Sequence, residues 1–337
     1  MQTDSFNRVL EEKYHLVKSI ATDYDYNEEL TMMLTLIYMA FYMNYGKESD
    51  MPLYDIFRNV KVVYDMGTVS EVAAKNGFSD VSSTDVAVTI FTPNLNVFKD
   101  SKLRQNPQTI ILGTNVNQYL ATSILKLELL AHEVRHAFTS YFNTNKLIDE
   151  NTYYMRSGFQ ESYYTKSKYS NKISKETTGI IFDEIVNTHI TGLMVNMIMN
   201  FRNKKITNKN LVKYLQSLKT SQPDEKYRPI GYDLEVKLLY PLLINEIFIN
   251  SVDQHSFDGE IGIVKDLIND NSSLSSYNEF CELLDVISTE TSQYQEKVSK
   301  NDFDFINQYV ENVTKAKKIV VDLKNNIGGR KVLQKIK

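Results

Sequence analysis

Residues 109–139 read TIILGTNVNQYLATSILKLELLAHEVRHAFT, and this stretch decides the fold. Residues 109–114 are a β-branched, apolar run following Pro107 and predict a strand. From about Gln118 the period changes. Leu120, Ile124, Leu127, Leu130, Ala131, Val134 and Phe138 recur at steps of three and four, the signature of an amphipathic helix.

Upstream of this switch, residues 60–64 (VKVVY) and 85–92 (DVAVTIFT) also read as strands, with Asn76-Gly77 as a turn between them. A small sheet of at least three strands is expected over residues 60–114. Residues 1–45 predict two helices broken near residues 22–27, with Gly46 as a stop signal, and a short helix is expected over 52–59. The apolar run 30–43 has 14 residues, too short for a membrane span, and predicts a buried core helix.

Downstream the pattern is helical: residues 180–201, 210–218, 234–249, 261–268, 273–287 and 293–317. Residues 149–176, polar and rich in tyrosine, read as irregular, and the basic end 315–337 with Gly328-Gly329 as a frayed tail. The fold class expected is α+β: a small, mostly antiparallel sheet followed by a predominantly helical lobe, with an N-terminal helical segment. The organisation expected is residues 1–59 as that segment, 60–200 as the motif-bearing region and 201–337 as the helical lobe.

A hydrophobic content of 42% and a charged content of 24% are those of a globular chain. The net charge of −4 argues against a nucleic-acid binder, which is usually basic. The single cysteine, Cys281, excludes an intramolecular disulfide and a cysteine-based zinc site; it sits in an apolar helical pattern and reads as core. No basic start followed by an apolar run is visible in residues 1–20, so the expectation is a cytoplasmic protein without a membrane span. Richness in Asn, Lys, Ile and Tyr points to an AT-rich bacterial or phage genome.

Within the motif helix stands His132-Glu133-Val134-Arg135-His136, an HExxH. Residues four apart lie one above the other on a helix face, so two imidazoles placed this way can hold one Zn2+ from one side. Glu133, next to the metal, suits the role of general base toward a zinc-bound water. A catalytic zinc takes three protein ligands and keeps a fourth position open. The H-x-x-G-x-x-H continuation is absent, because AFTSYFNTNK follows His136. The third ligand expected is therefore Glu184, in an otherwise apolar helix where a carboxylate is costly without a cationic partner. Asp183, His189 and Glu150 are the rivals. The plainer alternatives are an exposed helix face carrying Glu184 with Asp183 and Asn187, a motif of solvated charge around Glu133 and Arg135, and His189 as a hydrogen-bonded core residue.

The HEVRH motif, about fifty residues, and a second helix with a key glutamate together resemble the gluzincin branch of the zincin metallopeptidases. Arg156-Ser157-Gly158-Phe159, FDEIVNTHIT, and the later stretch from Gly231 to Val236 resemble segments of bacterial HExxH proteins, over roughly residues 84–250. The resemblance implies a zincin-like fold, zinc held by His132, His136 and Glu184, and hydrolysis of peptide or protein substrates. It also implies a Tyr, His or Arg that stabilises the developing oxyanion; Tyr232 and Arg156 are the leading candidates, with Tyr153 and Tyr154 behind them. Two positions depart from the pattern: Arg135 lies inside the motif, and Thr188 replaces a supporting carboxylate. These carry the alternative expectation, a non-catalytic zinc-binding regulatory or interaction protein on the same scaffold.

Overall fold

The structure is a computed structural model and describes residues 3–46, 57–65, 67–78, 81–82, 87–91, 108–113, 123–139, 145–170, 172–218, 232–272, 274 and 276–334. The chain is α+β and divides into two compact units. The first holds residues 1–93, 105–138 and 190–229; the second holds 94–104, 139–189 and 230–337.

In the first unit, helices α1 (Thr3–Tyr24) and α2 (Glu28–Tyr45) precede strand β1 (Val60–Asp65), helix α3 (Val69–Lys75), strands β2 (Ala87–Phe91) and β3 (Gln108–Gly113), and the motif helix α4 (Ser123–Thr139). Helix α2 starts where Asn27 Oδ1 accepts the Leu30 amide, and Glu28 and Glu29 complement the positive end of the helix. Every residue from Leu30 to Phe41 is buried, as expected for a core helix. No helix among the described residues is long and apolar enough to cross a membrane.

The three-stranded sheet has the order β1-β3-β2, with β1 parallel and β2 antiparallel to β3. It is therefore mixed rather than mostly antiparallel. A parallel pair needs a crossover, and α3 lies in the connection where the sequence suggested only a turn. The helix is fixed by a capping box: Thr68 Oγ1 accepts the Glu71 amide, and the Glu71 carboxylate accepts the Thr68 amide. Asn76 is its C-cap, so the Asn76-Gly77 signal marks the end of a helix.

Side chains alternate across this sheet. Ile111, Val63, Val88 and Ile90 pack on one face with Val69, Val72 and Ala73 of α3. The intervening residues face the other way: Val60 and Val62 line a small cavity with Val134 and Phe138 of α4 and Leu34 of α2. An aromatic cluster secures this second layer. The rings of Phe41 and Phe138 lie tilted against each other at 4.1 Å between centres, and Phe57 packs edge-on to both. Of the apolar stripe predicted for the motif helix, Ile124, Leu127, Leu130, Ala131, Val134 and Phe138 are buried, and Leu120 lies outside the described residues.

Helix α5 (Ile180–Asn200) runs through residues of both units, and α6 (Lys209–Ser217) completes the first. The second unit contains an antiparallel meander, β4 (Asn145–Asp149), β5 (Thr152–Ser157), β6 (Gln160–Lys166) and β7 (Ile173–Thr178), paired in sequence order. The segment expected to be irregular is therefore mostly strand. Tyrosine and threonine favour a pleated surface. The register sets Tyr153 opposite Tyr164 and Arg156 opposite Glu161.

The hairpin between β5 and β6 turns on two residues, Gly158 and Phe159. Gly158 takes φ +55°, as the mirror-image hairpin turns require at their first central position. A Cβ there would meet Asp183 Oδ1 at 2.0 Å. Phe159 is driven into the core against Phe182, and Phe182 packs in turn on Phe280 and Tyr277.

Helices α7 (Asp233–Leu243), α8 (Glu246–Asp258), α9 (Ile261–Asn269), α10 (Tyr277–Ser299) and α11 (Phe303–Gln334) follow. The helix expected over residues 234–249 is two helices, because Asn245 caps the second by accepting the amides of Ile247 and Phe248. The tail expected to fray is helical to Gln334, carried past the lysines by buried Ala316, Ile319, Val320, Leu323 and Ile327. Of the short helix expected over residues 52–59, only 57–59 lie among the described residues, and they are helical.

Candidate metal centre

The HEVRH motif lies in the C-terminal half of α4, with about two and a half turns of helix on its N-terminal side. The apolar stripe of α4 faces the core and fixes the rotation of the helix about its axis. The motif is not a patch of solvated charge: Glu133 is 6% exposed, Arg135 1% and His136 7%, while His132 is half-buried.

Spacing of four brings the two imidazoles together. Their Nε2 atoms lie 3.0 Å apart, with ring centres at 4.7 Å and planes crossed at 78°. At that separation two ring nitrogens cannot both carry a proton. Either one N–H donates to the other's lone pair, or both lone pairs face one cation. Two nitrogens bound to tetrahedral zinc at about 2.0–2.1 Å would stand roughly 3.3 Å apart, close to the separation found here.

Glu184, the third ligand expected from sequence, is half-buried in α5. Two imidazole nitrogens and a carboxylate oxygen are a donor set suited to zinc with an open position. The general base expected from sequence, Glu133, is held on its other side. Thr89 Oγ1 in β2 lies 2.6 Å from Glu133 Oε2 and 2.9 Å from the Glu133 main-chain oxygen.

The rivals for the third ligand have other roles or places. The Asp183 carboxylate is buried and accepts the Phe159 amide at 2.7 Å, which closes the β5–β6 turn. Neither Asp183 nor Asn187 is exposed, so the face that would have carried Glu184 into solvent with them does not exist. His189 is half-buried and hydrogen-bonded to the Leu243 carbonyl, and burial draws its pKa below the ordinary value. Glu150 is exposed in the turn before β5.

The candidate oxyanion donors also have defined places. Arg156, 1% exposed on β5, donates through Nη1 to the Gly158 carbonyl at 2.6 Å and the Ser256 carbonyl at 3.2 Å. Tyr232 is half-buried at the start of α7 in the left-handed region, φ +48°. Tyr153 is fully buried against Tyr164. The Tyr154 hydroxyl donates to Glu161, and burial together with that carboxylate raises its pKa. Burial pushes the Cys281 thiol up to about 12, which leaves no nucleophile at neutral pH.

Sequence reasoning did not find Thr89. The only signal was one hydroxyl in an otherwise apolar strand, AVTIF. It also missed the pairing of Glu161 with Lys265 across 104 residues. Comparison of the chain with protein-family models, with curated proteins and with solved structures finds no match.

Proposed function

We propose that the chain is a zinc-dependent hydrolase of peptide bonds, zincin-like in fold and gluzincin-like in its third ligand. The observation that carries this reading is the pair of facing imidazoles at 3.0 Å on one helix, with a carboxylate next in sequence to the first of them. Glu184, a half-buried carboxylate in an otherwise apolar helix, supports it.

His132, His136 and Glu184 would hold the metal. When bound, zinc acidifies a water molecule and polarises a carbonyl. Glu133 takes a proton from the attacking water and returns it to the departing amide nitrogen. Its Oε2 is tied to Thr89, so Oε1 is the oxygen assigned to that transfer. Tyr232 and Arg156 are the donors proposed for the charge that grows on the carbonyl oxygen. Arg156 already commits Nη1 to two main-chain carbonyls.

The test is metal content and hydrolysis together. Wild type loaded with zinc and dialysed should retain about one zinc per chain and cleave members of a peptide library. Glu133→Gln should keep the zinc and lose hydrolysis by roughly 10³-fold or more. A wild type that keeps no zinc overturns the reading. Stoichiometric zinc without cleavage of any peptide would favour a metal-bearing regulatory protein, the role suggested by buried Arg135 and by Thr188.

A further inference from the structure

Strand β2 is one of the two edge strands of the three-stranded sheet, and its alternation assigns each residue a face. Val88 and Ile90 go to the α3 side. Thr89 must then point to the opposite side, where it is paired with Ile110 of β3 and buried to 8% exposure. A threonine buried on a sheet face needs a partner for its hydroxyl. It finds two acceptors on one residue of α4, the main-chain oxygen of Glu133 at 2.9 Å and its carboxylate Oε2 at 2.6 Å.

One hydroxyl carries one proton, which these two acceptors share. The geometric consequence is a clamp. Glutamate has three side-chain torsions, and a carboxylate beside a metal site could sweep through several rotamers. Here Oε2 is tied to the same atom that is tied to the residue's own backbone, so the side chain is folded into one arrangement. The 2.6 Å separation is in the range of a hydroxyl donating to an ionised oxygen. Oε2 is occupied and the plane of the carboxylate is set, which orients Oε1.

We propose that Thr89 is the positioning residue of Glu133, holding the base in the rotamer from which it serves the reaction. The inference rests on the hydrolase reading above. Thr89 touches neither substrate nor metal in this role. It acts through Glu133 alone, so its loss should slow the chemical step without changing metal binding or substrate affinity. A misplacement of about 1 Å in a catalytic group costs on the order of 10²-fold.

The experiment compares wild type with Thr89→Val, which keeps the β-branched shape, and Thr89→Ser, which keeps the hydroxyl. The zinc-loaded proteins are assayed on a peptide that the wild type cleaves. Thr89→Val should lower kcat roughly 10- to 100-fold, with KM within about two-fold and zinc content unchanged. Thr89→Ser should restore most of kcat. A structural role alone would lower the active fraction and zinc content together and would not be rescued selectively by serine.

A second measurement is independent of hydrolysis. The urea midpoints of metal-free Thr89→Val, Glu133→Ala and the double variant form a cycle, and the two shifts should be clearly less than additive. The proposal is overturned if kcat of Thr89→Val stays within two-fold of wild type, if serine fails to rescue, or if the midpoint shifts simply add. A wild type that cleaves no peptide sinks the hydrolase reading and this role with it, while the cycle still decides whether Thr89 holds Glu133.

Discussion

In the second unit, buried charge meets a complementary partner within the chain. Glu161 accepts the Tyr154 hydroxyl on one carboxylate oxygen and the Lys265 ammonium on the other. Asp183 accepts a turn amide, and Arg156 donates to two carbonyls. In the first unit, α4 sets two imidazole nitrogens 3.0 Å apart, a contact whose donor and acceptor are set by the tautomers of the rings. Donor–acceptor complementarity is what buried polarity needs to stabilise a fold. The imidazole pair can meet that need in two ways, by an N–H donated from one ring to the other or by the cation proposed above. The presence of buried charge alone would not distinguish the two regions, since both have it.

The sharpest way to break this comparison is to remove one of the facing rings. His132→Ala should take zinc content from about one per chain to nearly none. It should move the metal-free melting temperature less than the second-unit substitutions do, because His132 is only half-buried. Plasma emission spectrometry and calorimetry read the two quantities. Retained zinc would mean that the ring pair is not the holding device.

Gly158→Ala should be the largest purely structural loss. The residue has φ +55°, and the new Cβ would stand 2.0 Å from Asp183 Oδ1. Left-handed strain together with displacement of a buried carboxylate costs about 2–4 kcal/mol, read as a lower urea midpoint. Glu161→Gln should be milder. The amide still accepts from one neighbour and loses the charge that Lys265 meets, a change of about 1–2 kcal/mol. Zinc content in the Glu161→Gln protein should be unchanged. A loss of zinc there would dissolve the contrast between the regions.

The two regions also differ in how far they could be read without coordinates. The HEVRH motif is local: a spacing of four on a helix with a clear apolar stripe suffices to place His132 over His136. Glu184 was singled out by cost, as a carboxylate in an apolar helix. Thr89 was out of reach, because its contact spans 44 residues and depends on strand alternation locked by β3. The meander of the second unit was read as irregular because its strands carry Tyr, Ser, Lys and Glu rather than an apolar face. Its β7, exposed at most positions, is specified by pairing with β6 and not by its own side chains. The Gly158-Phe159 turn was visible as letters. Its meaning depended on Asp183, which lies 24 residues from Phe159 and was read as a rival metal ligand or as part of an exposed face.

The smallest expected effect is a slope, and it concerns the titratable group of the second unit least like its neighbours. His189 is half-buried in α5, and burial draws its pKa below the ordinary value, opposed by the hydrogen bond to the Leu243 carbonyl. In the unfolded chain an imidazole titrates near 6.5, roughly. Between that value and the lower folded one, the unfolded chain binds more protons, so stability rises with pH in that window. The contribution of His189 is present above about pH 6.5 and is lost as pH falls through the folded value. His189→Gln removes the titration and keeps an N–H that can reach the same carbonyl. Between pH 7.5 and 5.5 the urea midpoint of metal-free wild type should fall by more than that of His189→Gln. Equal falls would free His189 of any part in the acid sensitivity and leave burial of a neutral, hydrogen-bonded ring as its whole contribution.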